Sequence, residues 1–378
     1  MNNQKRIALI YLGHRGGGPI FTFKLAESLS KSALTKVFLS SKITNREDWK
    51  LKGLDVEFFD IPYNLKSVMN FSWNLSCAKL LCNKIKEFAP QLCLFTMIHP
   101  MNFLIQHSLK KSGYKIVSII HDPKPHSGER IWVKLIQKLE LKHPDAFITL
   151  SNHSANILKN MVKKPIFQYD HPLMVLEESE EAQHLKQKII SISKEKFVFL
   201  NFGRIEPYKG IDILIEAFHR LGENYSNVFL IIAGQGNLST GTVHRLRNLE
   251  DKGQAMFINR FLKDSEIKVL IDLSKVVVLP YLDATQSGIV STVIHYGKPL
   301  IVTHVGALLE QTKYGTGALI VPPNDAMNLY RAMELILKSE NVYEIMCEEV
   351  KLMKHFAPTW EGFAEEILKI INLLKSNV

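Results

Sequence analysis

Residues 197–218 read FVFLNFGRIEPYKGIDILIEAF. Phe197–Asn201 is a compact apolar run of strand length. A loop holding Gly203, Pro207 and Gly210 follows, and Ile211–Arg220 then repeats apolar residues at the spacing of one helix face. Strand, glycine-bearing loop and helix in that order are the unit of a parallel sheet, because parallel neighbours need a crossover connection. The rhythm continues through strand-like Val228–Ala233, Met256–Ile258, Val276–Pro280, Leu300–Thr303 and Leu319–Val321. It also fills the first half, with Ile7–Leu12, Val37–Ser40, Leu92–Met97, Ile116–Ile120 and Ala146–Leu150, and a helical stretch at Phe21–Ser30. Continuous apolar runs of this length mark strands buried on both faces.

The chain has 378 residues, too many for one typical core and suited to two domains of about 150–200 residues each. The charged stretch Glu177–Lys196 breaks the rhythm, so residues 1–172 and 197–357 are expected as two α/β domains joined by a linker at 173–196. Beyond them, Trp360–Leu374 reads as an amphipathic helix, with Phe363, Ile367, Ile370 and Leu374 near one face. It either caps the second domain or crosses back to the first.

A hydrophobic fraction of 46% excludes disorder as the main state. Cys77, Cys82, Cys93 and Cys347 form no CxxC pair and are too few for a disulfide scaffold; they read as reduced thiols of a cytoplasmic protein. No apolar run approaches the ~18–20 residues of a membrane span. The first apolar stretch runs into Gly13 and Gly16, as a first strand does and a secretion signal does not.

The net charge of +10 is unevenly placed. Residues 1–170 carry a net +13 and residues 171–378 a net −3. A basic half points to a polyanionic surface, nucleic acid or anionic lipid. The basic half shows no zinc finger, no Arg-rich tract and no RNA-binding aromatic pattern, so nucleic acid is not expected as a partner.

Four stretches could carry chemistry. Gly13–Gly18, after the first strand, serves equally as a tight turn or as a ligand loop whose next helix offers free N–H groups. It is not GxGxxG, which argues against a nicotinamide site. Arg204 and Lys209 lie five residues apart in the loop at Gly203, on the expected carboxyl edge of the sheet, where open α/β sheets bind ligands. A planar fork and a mobile point charge suit a diphosphate. Pro280–Ile289 leads from a strand to a helix expected near Ser287; Thr285 or Ser287 would cap it, and its amides could receive a phosphate. His121, just after Ile116–Ile120, is either a structural histidine or a hydrogen-bond partner for a sugar. The sequence holds no Asp-x-Asp, HExxH, zinc Cys/His spacing, GxxxxGK[ST] or GxSxG, so no metal site is expected.

Phe197–Phe218, together with FLIIAGQG (Phe229–Gly236) and the segment Val276–Glu310 with its PYLDATQSG, resembles the donor domain of retaining family 4 glycosyltransferases, in a branch with a PYxxATQSG loop. The likeness is close over residues 197–325 and looser before. It implies a GT-B fold: two facing Rossmann-like, doubly wound parallel-sheet domains with an interdomain cleft and a C-terminal crossover helix. The resemblance places the nucleotide-sugar on the second domain and the acceptor on the first. It implies that Arg204 and Lys209 hold the diphosphate, with Gly203 beside them. Gly16, Gly17 and the segment Gln286, Ser287, Gly288 and Ile289 would approach the phosphates and sugar. Gln235, Asn259 and Arg260 would lie by the base, and His121 near the anomeric carbon. The common Glu-x7-Glu motif of the family is absent. Ala284 and Thr292 align with its carboxylates, leaving Asp283, Thr285 and Thr292 as candidate contacts.

The expectation is therefore a retaining, metal-independent glycosyltransferase without cofactor. It would act on a lipid-linked or polysaccharide acceptor in bacterial surface glycan synthesis. Lys79–Lys86 and Arg130–Lys142 mix basic and apolar residues as interfacial helices do, which implies peripheral contact with anionic membrane at the cytoplasmic face. The alternatives are a nucleotide-sugar epimerase of the same fold, or a non-catalytic sugar-nucleotide-binding subunit.

Overall fold

A computed structural model describes residues 4–61, 71–124, 131–176, 182–313 and 315–376. The chain divides into two compact units, one of Met1–Pro172 with Pro358–Val378 and one of Leu173–Ala357.

The first unit holds β1 (Arg6–Tyr11), β2 (Leu34–Ser40), β3 (Val56–Phe59), β4 (Leu92–Phe95), β5 (Ile116–Ile120), β6 (Ala146–Thr149) and β7 (Ile166–Gln168), in the order β3-β2-β1-β4-β5-β6-β7. The second holds β8 (Phe197–Phe202), β9 (Val228–Ala233), β10 (Ala255–Ile258), β11 (Val276–Leu279), β12 (Leu300–Thr303) and β13 (Ala318–Val321), in the order β10-β9-β8-β11-β12-β13. Every pairing between these strands is parallel. Both orders reverse beside the first strand, between β1 and β4 and between β8 and β11. At such a switch point neighbouring loops leave in opposite directions and open a crevice at the carboxyl edge.

Burial explains the continuous apolar runs. Val198, Leu200 and Phe202 belong to one core and Phe199 to another. Ile231 and Ala233 likewise join the first core, and Leu230 and Ile232 the second. Each strand feeds both faces, so alternation with polar residues is impossible.

The strands β3 and β7 escape the sequence reading because Glu57 interrupts the apolar run of β3 and the three residues of β7 include no buried one. The expected linker also needs correction. The helix Gln183–Ser193 lies within it, and Leu176, Leu185 and Ile189 enter the core of the second unit. Its charged residues are solvent-facing helix positions.

The helix Trp360–Ser376 packs on the helix Gly18–Ser30 within the first unit. Phe363, Ile367, Ile370 and Leu374 are buried, as the spacing predicts. The Phe363 ring stacks on Tyr169 with centroids 4.9 Å apart, and Trp360 meets Phe21 edge-on at 5.2 Å. Lys5 Nζ donates to the Leu368 carbonyl at 2.7 Å. Deleting a buried phenyl ring costs about 3–5 kcal/mol. Phe363→Ala is expected to lower the urea midpoint of the first unit accordingly, read from tryptophan fluorescence because all four tryptophans lie in that unit, and to leave that of the second unchanged in the far-UV circular dichroism of the whole chain.

Candidate functional site

On the second unit, the loops after β8 and β11 meet at the switch point. After Phe202 the backbone turns at Gly203, where φ is +114° and a side-chain carbon would sit 2.8 Å from Ile289 Cδ1. Gly210 takes a left-handed conformation, and a carbon there would lie 2.0 Å from the Pro280 carbonyl oxygen. The Leu282 N–H donates to the Tyr208 carbonyl at 2.7 Å. Below them, Asn201 Nδ2 donates to the Val278 carbonyl at 2.8 Å, tying β8 to β11 through a buried side chain.

Two cations project from this joined edge. Arg204 is exposed and, among the described residues, has no ion-pair partner. Lys209 ends the 3-10 turn Pro207–Lys209, and its ammonium lies 3.7 Å from the centroid of the Tyr281 ring and 5.0 Å from that of Tyr208. The helix Gly288–His295 begins alongside. Ser287 is its N-cap residue, but its side chain makes no capping hydrogen bond. Gln311 instead clasps the Ser287 backbone: Oε1 accepts from the Ser287 N–H at 2.8 Å and Nε2 donates to its carbonyl at 3.1 Å. That amide is therefore spent, and Gly288 and Ile289, the first two helical residues, offer the amides of this helix end.

Three candidate residues have other employment. Thr292 is buried, and its hydroxyl donates to the Gly288 carbonyl at 2.9 Å. Arg260 forms a two-pronged pair with Glu266, at 2.9 Å and 2.6 Å, and Glu266 also accepts from the Lys263 N–H at 3.0 Å at the start of the helix Asp264–Leu273. This fork holds the Glu266 carboxyl below its ordinary range. Asn259 Oδ1 accepts from the Gly236 N–H at 3.2 Å, which shapes the turn that carries exposed Gln235. The Ile205 N–H in turn donates to the Gln235 carbonyl at 3.0 Å. Asp283 and Thr285 lie on the loop between Tyr281 and Ser287, where Gly306 packs against the Ala284 carbonyl.

On the first unit, Gly16 and Gly17 are exposed between β1 and the helix Gly18–Ser30. A side-chain carbon at either would meet nothing within 4 Å. His14, His99 and His121 follow β1, β4 and β5 at the same sheet edge. His121 is buried, and its Nε2 lies 3.1 Å from the Thr96 carbonyl, which fixes the proton on Nε2. Burial, and then His171, push its pKa down to about 3. Burial, and then His14, push His99 down to about 4; its Nδ1 accepts from the Met101 N–H at 3.3 Å. Burial also lowers His171 to about 4. Behind His99, the buried carboxyl of Glu140 accepts the His99 N–H at 2.7 Å, and desolvation raises its pKa well above the ordinary value. No sequence signal marks Glu140 or Gln311, because each is a single residue whose partner lies far away in the chain, whereas Tyr281 belongs to the PYLDATQSG stretch.

These loops and sheets define a class by fold, two Rossmann-like units of the GT-B kind, each built on a doubly wound parallel sheet. Residues 183–353, which lie in the second unit, match the family model described as glycosyl transferases group 1. The chain is 22% identical over 187 residues to an uncharacterized glycosyltransferase of Methanocaldococcus jannaschii, covering 50% of this chain and 47% of the relative. It is 20% identical over 353 residues to an uncharacterized glycosyltransferase of Haemophilus influenzae, covering 91% and 93%. It spans less than two thirds of the archaeal relatives it matches, 47% of one and 64% of another. Among solved structures it is similar in fold to Anabaena HepE in complex with UDP and glucose, with a TM-score of 0.73, 14% identity and coverage of 97% of this chain and 99% of that one.

The three depressed histidines set a pH dependence. Folded, they stay neutral; unfolded, they take up protons near pH 6.5, so stability is lost as pH falls from about 6.5 towards about 4. Glu140 has the opposite sign, since folding raises its pKa and favours its protonated form. Burial also lowers His14, His143 and His295, so the melting temperature is expected to fall between about pH 7 and pH 5, and His171→Asn to flatten that slope in a differential scanning fluorimetry series.

Proposed function

We propose that this protein is a retaining glycosyltransferase that takes a sugar from a nucleoside-diphosphate donor held on the second unit. The observation that carries the reading is the meeting of Arg204, Lys209 and the N-terminus of Gly288–His295 at one switch-point crevice. The family match over residues 183–353 and the UDP in the HepE complex support it.

In this reading the bond between the anomeric carbon and the β-phosphate oxygen breaks, leaving positive charge on the sugar and negative charge on the diphosphate. Arg204, Lys209 and the amides of Gly288 and Ile289 stabilise the departing oxyanion. The acceptor hydroxyl bonds to the anomeric carbon on the face the diphosphate left, and its proton passes to that phosphate. No protein base and no metal are needed. His121, neutral with its proton on Nε2, is suited to hydrogen-bonding and unsuited to acting as an acid at neutral pH. An epimerase of the same fold would release free epimerised sugar without acceptor, and a binding subunit would turn over no donor.

Removing one such donor of charge stabilisation typically costs about 10²–10³ in rate. Arg204→Ala and Lys209→Ala are each expected to slow UDP-glucose turnover by that order and to abolish the rise in melting temperature caused by UDP. Near-native rates with unchanged UDP affinity contradict the phosphate assignment.

We further propose that the first unit docks on anionic membrane, where a lipid-linked or polysaccharide acceptor would be met at the cytoplasmic face. The helices Phe71–Phe88, Asn102–Lys111 and Ile131–Glu140 pack side by side in that order. They and the turns that follow them carry exposed Lys79, Lys110, Lys111, Lys134, Lys138 and Lys142, together with exposed Leu80 and Leu135. Arg130 and the Trp132 side chain lie outside the described residues. Among the described residues no helix is long and apolar enough to cross a membrane. Each basic residue near an anionic surface contributes about 1 kcal/mol. The protein is expected to float with vesicles containing phosphatidylglycerol and not with phosphatidylcholine alone; equal flotation on both contradicts the proposal.

A further inference from the structure

Tyr281 follows Pro280 at the end of β11 and is 1% exposed. Three links meet on it. The Lys209 ammonium lies 3.7 Å from its ring centroid. Its hydroxyl lies 3.4 Å from Ser287 Oγ, at the start of the helix Gly288–His295. Its carbonyl accepts from Thr303 Oγ1 at 2.6 Å, which fixes it to β12. The residues on either side are tied to the Lys209 loop as well, Pro280 through the close approach of Gly210 and Leu282 through its bond to the Tyr208 carbonyl.

A lysine ends in a point charge on a flexible four-carbon stem, and holding it in one place costs rotamer entropy. A carboxylate that holds an ammonium also offsets its charge towards a second anion. An aromatic face attracts the ammonium through its quadrupole and carries no formal charge. The ring therefore restrains the cation and itself adds no negative charge beside it. The geometry points to Tyr281 as a positioning residue that presents Lys209 and the start of the helix Gly288–His295 together to a diphosphate. This rests on the reading of Lys209 as a diphosphate ligand.

The test grades the ring without changing its shape. Tyr281→Phe is the reference, and the same position then receives 4-fluoro-, 3,5-difluoro- and 3,4,5-trifluorophenylalanine in the full chain. UDP affinity is measured by calorimetry, and melting temperature serves as a folding control. Fluorines drain the ring face, so UDP affinity is expected to fall stepwise by about 3- to 30-fold in all. In a Lys209→Ala background the series is expected to be flat. A purely structural ring predicts the same trend with and without Lys209, because the packing cost of the slightly larger fluorine does not depend on the lysine. A flat or rising affinity along the series with Lys209 intact, while Lys209→Ala alone still weakens UDP, overturns the inference and spares the diphosphate reading. Unchanged UDP affinity in Lys209→Ala overturns both.

Discussion

Two backbone carbonyls govern the carboxyl edge of the second sheet. The Pro280 oxygen fills the space that a side chain at 210 would need, and the Gly203 oxygen does the same at 234, 1.7 Å from where a carbon would stand. Both glycines also adopt positive φ, +62° and +155°. Main chain touches main chain at these points, so the loops after β8, β9 and β11 share one surface. A larger residue would part them and separate Lys209 from Tyr281. The cations owe their common address to side chains that are missing.

The two units use the same strand order for different electrostatics. At the second edge, Arg204 and Lys209 present positive charge beside a helix N-terminus. At the first edge, burial keeps His99 and His121 neutral at physiological pH. Neutral imidazoles donate and accept hydrogen bonds without attracting anions, and hydroxyl-rich ligands need that chemistry. In the proposed reading the cationic edge meets a phosphate and the neutral one a carbohydrate hydroxyl, although both grow from the same doubly wound pattern.

Much of this was legible in the sequence. Two-sided burial writes itself as unbroken apolar runs, and most strands announce themselves that way; Val56–Phe59, broken by Glu57, and Ile166–Gln168 are only partly buried and carry no such run. The Gly203–Gly210 loop was legible because glycine and proline restrict the backbone locally. What the sequence concealed are pairings across distance. Nothing near Ser287 indicates that Gln311, 24 residues on, takes its N–H, and nothing near Arg260 shows that Glu266 holds its guanidinium. Thr292 looked available as a hydroxyl, yet helical geometry turns it onto the carbonyl four residues back. The helix Gln183–Ser193 was hidden by its own charge, since a helix with one wet face resembles a tether.

The return of Trp360–Ser376 to the first unit has a consequence for biosynthesis. Phe363 and Ile367 fill a core whose other residues left the ribosome before any of the second unit was made. Until they emerge, Phe21 and Tyr169 have no lid and their apolar faces stay wet. The unit inserted between them has its whole sequence in hand first. Maturation therefore runs against chain order, with the later-translated lobe consolidating while the earlier one waits, a situation in which a holding chaperone has a defined surface to cover and a defined moment to let go.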